Sequence, residues 1–165
     1  MRLVILLGAL LVVGRASAQS TMDKVGLRTV AEPQPACQSG HDNALSNGVI
    51  TIRPGETICV ELQENGVSVI PKRVVASATS QDTLVVKFWQ ETGTNNMFLS
   101  VRNPLHRFLR YRAEMARPGS LQYQYTSSCP VLSGRISIEN WPFPITALNL
   151  SNFETLPDSK SIECK

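Results

Sequence analysis

The side chains best suited to acid–base chemistry in this chain are a histidine and an aspartate that follow one another. His41 precedes Asp42 in a loop-like stretch, and a histidine with a carboxylate can act as a general base and its orienting group. Adjacent side chains rarely point toward each other, and the chain has no Gly-x-Ser-x-Gly elbow, phosphate-binding glycine loop, HExxH or calcium loop. We therefore predict no catalytic residue, no metal site and no cofactor.

Carboxylates offer a second kind of chemistry, because hydrolysis of a glycosidic bond uses two of them on either side of the scissile bond. Several glutamates lie near the ends of strand-like segments, namely Glu61, Glu64, Glu91, Glu114 and Glu139. Acidic residues at strand ends are usually solvated, and convergence in space cannot be read from their spacing. An envelope-polymer hydrolase therefore stays a minor hypothesis.

The stretch from Arg102 to Arg117 is rich in arginine. If it contains a strand, Arg110 and Arg112 project from the same face, where two planar guanidinium groups could bind a phosphate, a carboxylate or an acidic partner. The commoner use of strand charges is to discourage edge-to-edge aggregation. We keep both arginines as candidate binding residues beside that simpler interpretation.

The most unusual local composition is the run from Asn140 to Pro144. Its two prolines favour an extended backbone, and Trp141 and Phe143 offer large, rigid contact surfaces that suit a recognition loop. The favoured alternative is that both aromatic side chains close one end of the core, since aromatic residues are mostly buried. Trp141 and Phe143 complete the set of candidate binding residues.

The first eighteen residues predict export. A basic start is followed by an apolar run over 3–13 and by small residues at 16–18, which is the pattern of a signal peptide cleaved near Ala18. The apolar run is about half of the ~20 residues that span a bilayer, so we predict no transmembrane segment. The mature chain is expected to be periplasmic or secreted.

Four cysteines lie in the mature chain, at Cys37, Cys59, Cys129 and Cys164. Their even number and an oxidising compartment predict two disulfides. We favour Cys37 with Cys59 and Cys129 with Cys164, because each pair would tie a less regular terminal segment to a strand. A zinc site is disfavoured, since no two cysteines are close in sequence and the two histidines are far apart.

Length and charge narrow the function further. Residues 19–165 match the common size of a single domain. The formal net charge of +3 includes Arg2 and Arg15, which leave with the signal peptide, so the mature chain is nearly neutral. We therefore predict no nucleic-acid partner, since no global positive charge favours a polyanion.

Short segments with β-branched or aromatic residues, bounded by turn formers, follow one another along the chain. They lie at 49–52, 57–62, 67–70, 73–78, 83–89, 96–101, 109–115, 121–125, 134–138 and 145–150. The first two are expected to form a hairpin through the turn at 53–56. The segment 103–117 also fits a helix, but its period of two over 109–115 favours a strand.

This pattern predicts an all-β fold, an antiparallel β-sandwich of immunoglobulin-like type with two disulfides. The predicted organisation is a signal peptide at 1–18, an N-terminal arm or loop at 19–47 and a β-sandwich domain at 48–156. A C-terminal tail at 157–165, tied down by a disulfide, completes the chain. Oligomeric state does not follow from the sequence.

The C-terminal part resembles a pattern found in exported proteins of proteobacteria. It is carried by NPL at 103–105, LRYRAEM at 109–115, TSSCPV at 126–131, ENWPFPI at 139–145 and LSNF at 150–153. The resemblance implies a bacterial periplasmic or secreted protein. It also implies that the region of Cys129 and Trp141 is a structural feature of the family, and it carries no activity.

Three function hypotheses follow. The leading one is an exported, non-enzymatic β-sandwich that binds a protein or an envelope component. The second is a structural or assembly subunit of a surface or secretion apparatus, and the third is the envelope-polymer hydrolase. A flat apolar patch or an open strand edge would favour binding, whereas titratable side chains converging in a cleft would favour the hydrolase.

Overall fold

The computed structural model describes residues 36–37, 43–78, 81–120, 122–157 and 163–164, all within the unit Glu32–Lys165. The predicted signal peptide, His41 and most of the predicted arm and tail lie outside the described residues. No helix occurs in the described part of the chain, so none there is long and apolar enough to cross a membrane.

Ten strands make up the described fold, and every pairing between them is antiparallel. They are β1 (Leu45–Ser46), β2 (Val49–Ile52), β3 (Thr57–Asn65), β4 (Ser68–Val75), β5 (Thr83–Gln90), β6 (Met97–Arg102), β7 (Phe108–Ala116), β8 (Tyr123–Thr126), β9 (Ile136–Trp141) and β10 (Ala147–Leu156). The prediction of an all-β antiparallel fold is confirmed, and the uncertain segment 103–117 contains a strand.

Strand β10 connects two groups of strands, because it pairs with β2 and β7 and also with β4. The strand order is β1-β2-β10-β4-β3-β5-β6-β9, with β7 also on β10 and β8 on β7. On one side β10 pairs with β2 at Leu148–Leu150 and with β4 at Glu154. The register shifts between Ser151 and Glu154, where Asn152 has a φ of 51°, and such a bulge bends a strand.

Most buried apolar side chains of the described residues belong to one hydrophobic cluster, the main core. Along β5, Leu84, Val86 and Phe88 alternate with residues of the opposite face, and all three are fully buried in this core. The core draws large side chains from β7, β10 and β2 and from β4-β3-β5-β6-β9. This arrangement is consistent with the predicted immunoglobulin-like β-sandwich.

The predicted hairpin between β2 and β3 is wrong. Strand β2 pairs with β1 and β10, whereas β3 pairs with β4 and β5. After the turn, in which Gly55 has a φ of 90°, the Gly55 N–H donates to the Phe88 carbonyl and the Phe88 N–H donates to the Glu56 carbonyl. The turn therefore leads from β2 into a strand, β3, that lies beside β5 and not beside β2. Turn residues specify a change of chain direction, and they do not specify which strand the next one pairs with.

Several element boundaries differ from the predicted ones. Strand β9 covers Ile136–Trp141 in place of 134–138, and β10 covers Ala147–Leu156 in place of 145–150. The segments at 67–70 and 73–78 form one strand, β4, whose ladder with β3 shifts between Glu61 and Leu62, where Pro71 lies opposite Leu62. A proline cannot donate to a ladder, so an irregularity lets one strand continue across it. Strand β1 begins at Leu45, inside the predicted arm.

Both predicted disulfides are confirmed, Cys37 with Cys59 and Cys129 with Cys164. Cys59 lies on the outer face of β3, where it is fully buried in a small cluster of its own. The members of this cluster are Cys59, Ala78 and Val85, with Cys37 and Val75 packed against them. The first disulfide therefore covers one face of the sheet, apart from the main core.

Candidate functional site: the free edge of strand β9

The predicted pair Arg110 and Arg112 does project from one face of β7, but each guanidinium already has a carboxylate. Arg110 Nη1 lies 3.2 Å from Glu154 Oε1, and Arg112 Nη2 lies 2.9 Å from Glu114 Oε1. The Arg112 guanidinium also lies 5.0 Å from the centre of the Tyr125 ring. An anion would have to compete with these ion pairs, so this face carries little of the free positive charge that its sequence suggested.

Trp141 and Phe143 take the core positions that the sequence analysis favoured. Trp141 is buried, and its indole N–H donates to Thr126 Oγ1 over 2.9 Å. Phe143 is half-buried against the core, with the Arg117 guanidinium 4.3 Å from its ring centre. Of the four candidate binding residues, only Arg112 is exposed.

Glu139 is the carboxylate with the least ordinary surroundings. Its Oε1 accepts hydrogen bonds from the Cys129 N–H at 3.0 Å and from the Tyr111 hydroxyl at 3.3 Å. Partial burial raises the pKa of Glu139. Burial, together with the nearby Glu139 charge, raises the pKa of Tyr111 well above its usual range. The Glu139 carboxylate therefore links β7 and β9 to the segment that carries Cys129.

Three glutamates of the described residues are engaged in ion pairs with arginines, Glu61 with Arg73, Glu114 with Arg112 and Glu154 with Arg110. The described residues also contain no group of three or more side chains able to hold a metal ion. The geometry therefore lends no support to the hydrolase hypothesis.

The raised pKa of Glu139 predicts how its replacement affects stability. Because the folded state holds this proton more tightly than the unfolded chain, ionisation costs stability above the unfolded-state pKa of about 4.3 and has no effect well below it. We expect Glu139→Gln, which keeps an acceptor for Cys129 and Tyr111, to be more stable than the wild type near neutral pH. Urea denaturation at about pH 7 and at about pH 4 measures the free energy of unfolding of Glu139→Gln and of the wild type. The advantage of the variant should be smaller at the lower pH. A difference that grows on acidification would contradict this assignment.

A groove of about 610 Å³ lies between β1 and β4. It is lined by residues 43–45, 47–48 and 71–76, and its described lining contains no histidine, cysteine, aspartate or glutamate. Its charged lining residues are Lys72 and Arg73, and Arg73 is paired with Glu61 at 2.6 Å. The groove therefore lacks a convergent set of reactive side chains.

One feature that differs from an ordinary protein surface is the free edge of β9. Among the strands of the described residues, β9 pairs with β6 alone. The Asn103 N–H donates to the Arg135 carbonyl, which sets the alternation of the ladder, so Ser137, Glu139 and Trp141 direct their backbone groups toward β6. By the same alternation, the N–H and C=O groups of residues 136, 138 and 140 point away from β6, toward the open side.

The residues that present this free backbone also expose apolar side chains. Ile136 is 58% exposed and Ile138 is 65% exposed on the outer face of the sheet. On the same face, Phe98 of β6 stacks on Trp89 of β5 with ring centres 5.4 Å apart, and Phe98 lies diagonally from Ile138. We call Ile136, Ile138, Phe98 and Trp89 the β9 edge surface.

Sequence analysis missed this surface, because alternation alone does not say which face is buried. In β9 the large buried side chain is Trp141, and it shares its face with Ser137 and Glu139. A one-residue change of parity moves every side chain to the other face, so burying Trp141 turns the isoleucines outward. The sequence did contain one signal: Ile136 and Ile138 are each an odd number of residues from Trp141, so in a strand they lie on the face opposite to it.

Comparisons of the chain with protein-family models, curated proteins and solved structures find no match. The two disulfides are consistent with an extracellular or periplasmic protein. Function therefore has to be inferred from the geometry of the described surfaces, among which the β9 edge surface combines a free strand edge with two exposed isoleucines.

Proposed function

We propose that this protein is an exported, non-enzymatic interaction module that binds another protein of the same compartment by adding a strand of that protein to β9. The observation that carries the proposal is the coincidence of free backbone and exposed isoleucine at Ile136 and Ile138. Export itself rests on the signal-peptide pattern at 1–18, and the disulfides support the same compartment.

Strand addition uses both properties of the edge. Main-chain hydrogen bonds supply affinity for an extended segment, and side chains on alternate positions supply selectivity. The edge-facing groups belong to residues 136, 138 and 140, so a partner strand of about three to five residues can complete the ladder. Apolar residues of the partner would pack against Ile136 and Ile138, at about 25 cal/mol per Å² of apolar surface buried.

The proposal predicts that a charge on this edge abolishes capture. Ile138→Lys should reduce capture of the physiological partner from native envelope extract at least tenfold, because a lysine on an edge disfavours strand addition. Val67→Lys is the matched control, since Val67 is 61% exposed in the turn between β3 and β4, outside the β9 edge surface. Each variant and the wild type are immobilised, and the protein that each captures is quantified by mass spectrometry relative to the wild type. Equal capture by both variants would sink the proposal.

A proline variant separates backbone pairing from apolar contact. Ile138→Pro removes an N–H that points to the open side, so the ladder with β6 keeps its hydrogen bonds. We expect it to fold like the wild type, by circular dichroism, and to lose capture. Ile138→Val, which keeps both the N–H and a β-branched apolar side chain, should retain capture.

A further inference from the structure

We infer that, in the absence of its partner, the β9 edge pairs antiparallel with the β9 edge of a second copy across a two-fold axis. The free protein is then a weak homodimer whose binding edge is covered until the partner displaces the second copy. This inference rests on the proposed function, since it concerns regulation of the same edge.

The first ground is that the outer face of β9 carries no charged side chain to protect the edge; the one charged residue of the strand, Glu139, lies on the inner face. Natural edges carry lysines, prolines or bulges that disfavour pairing with another chain. No lysine, proline or glycine occurs between Ile136 and Trp141, and the ladder with β6 is regular. The outward side chains of β9 are Ile136, Ile138 and Asn140, which are uncharged. We therefore expect this edge to be covered by another chain when the partner is absent.

The second ground is that the edge is complementary to itself. The run Ile136-Ser137-Ile138 reads the same in both directions, and both isoleucines have backbone groups on the open side. Antiparallel pairing about Ser137 therefore places Ile136 of each copy opposite Ile138 of the other, with hydrogen bonds formed at both positions. Registers centred on Ile136 or on Ile138 leave a single isoleucine pair, so the register about Ser137 buries the most apolar surface.

The pairing has to be weak. A single edge of six residues buries less than the roughly 1,200–2,000 Å² of a stable protein interface. Self-association in the micromolar to millimolar range leaves the edge available to a partner that also covers Phe98 and Trp89. A copy of the chain can thus protect the edge without blocking its use.

Cysteine cross-linking tests the register directly. At a hydrogen-bonded antiparallel position the Cα atoms lie about 5.5 Å apart, within disulfide reach, and the exposed Ile136 of one copy faces Ile138 of the other. An equimolar mixture of Ile136→Cys and Ile138→Cys should therefore form a covalent dimer under mild oxidation. Each variant alone places its cysteine opposite an isoleucine and should cross-link several-fold less, as should Val67→Cys. Peptide mapping checks that Cys37–Cys59 and Cys129–Cys164 are retained. Cross-linking of the mixture at or below the level of any of these controls overturns the inference.

Sedimentation of the unmodified protein gives an independent measurement. The weight-average mass should rise toward twice the monomer mass between about 1 µM and 1 mM, and Ile138→Lys should stay monomeric. A constant monomer mass over this range overturns self-pairing and leaves the capture experiment unaffected. Conversely, a dimer together with capture that tolerates Ile138→Lys overturns the proposed function alone.

Discussion

Replacing Asn103 by alanine should lower the free energy of unfolding by about 1.5–4.5 kcal/mol, at about 0.5–1.5 kcal/mol for each of three full hydrogen bonds. Asn103 is fully buried. The two N–H groups of its Nδ2 are shared among the carbonyls of Arg107, Val131 and Leu132, at 2.8, 3.1 and 3.1 Å. Its Oδ1 accepts from the Leu105 N–H at 2.9 Å. One side chain therefore holds the loop after β6 against the segment that leads into β9.

The aspartate variant should be worse than the alanine variant. Asn103→Asp puts a carboxylate oxygen where the amide nitrogen met three carbonyl oxygens, and a buried charge without donors is strongly disfavoured. The carboxyl should keep its proton to a pH above its usual range. The destabilisation relative to the wild type should therefore grow as the pH rises from about 4 to 7.

Urea denaturation followed by circular dichroism measures both Asn103 variants, and Asn140→Ala is the matched control. Asn140 is exposed, and its Nδ2 donates a single hydrogen bond to the Met97 carbonyl at 3.2 Å. The control should change stability by less than about 1.5 kcal/mol. If Asn103→Ala and Asn140→Ala lower the free energy of unfolding equally, the hydrogen bonds of the buried Asn103 amide do not contribute the expected stability.

Removing the first disulfide should cost about 3–4 kcal/mol in the chain-entropy model, for a separation of 22 residues. The double variant Cys37→Ala/Cys59→Ala also leaves a space in the small outer cluster with Ala78 and Val85, and such a cavity adds to the loss. We therefore expect this variant to lose more stability than the entropy model predicts. The free energy of unfolding from urea titration, without reductant, is the measurement.

The second disulfide separates the two contributions. Cys129 and Cys164 are 35 residues apart, so chain entropy alone makes their removal the slightly more costly one. Cys164 is exposed, so removal of this disulfide leaves a smaller space than that around the buried Cys59. A greater loss for Cys129→Ala/Cys164→Ala than for Cys37→Ala/Cys59→Ala would contradict the packing contribution.

Several elements could be predicted because their signals are local. The alternation around Tyr111 distinguished a strand from a helix in β7, since a period of two and a period of 3.6 bury different side chains. Two disulfides could be predicted because four well-separated cysteines follow a signal-peptide pattern that implies an oxidising compartment. Their connectivity was one favoured choice among three possible pairings, and the structure confirms that choice.

The candidate site could not be predicted in the same way. Arg110 and Arg112 were recognised as neighbours on one face, but their partners Glu154 and Glu114 include a residue 44 positions away in sequence. Only the pairing of β7 with β10 brings Arg110 close to Glu154. The loss of free positive charge from this face is therefore a property of the tertiary structure.

The sequence alone indicated most strands, most turns, the presence of two disulfides and the signal-peptide pattern, because each depends on residues close in sequence or on compartment. Tertiary structure decided which strands pair and which face of each is buried. The turn at Gly55 was predictable, but its hydrogen bonds to Phe88 of β5 were not. In β9, the burial of Trp141 decides which face of the strand lies against the core. Because side chains alternate with a period of two, burying that one indole exposes Ile136 and Ile138, and with them the edge proposed to bind a partner.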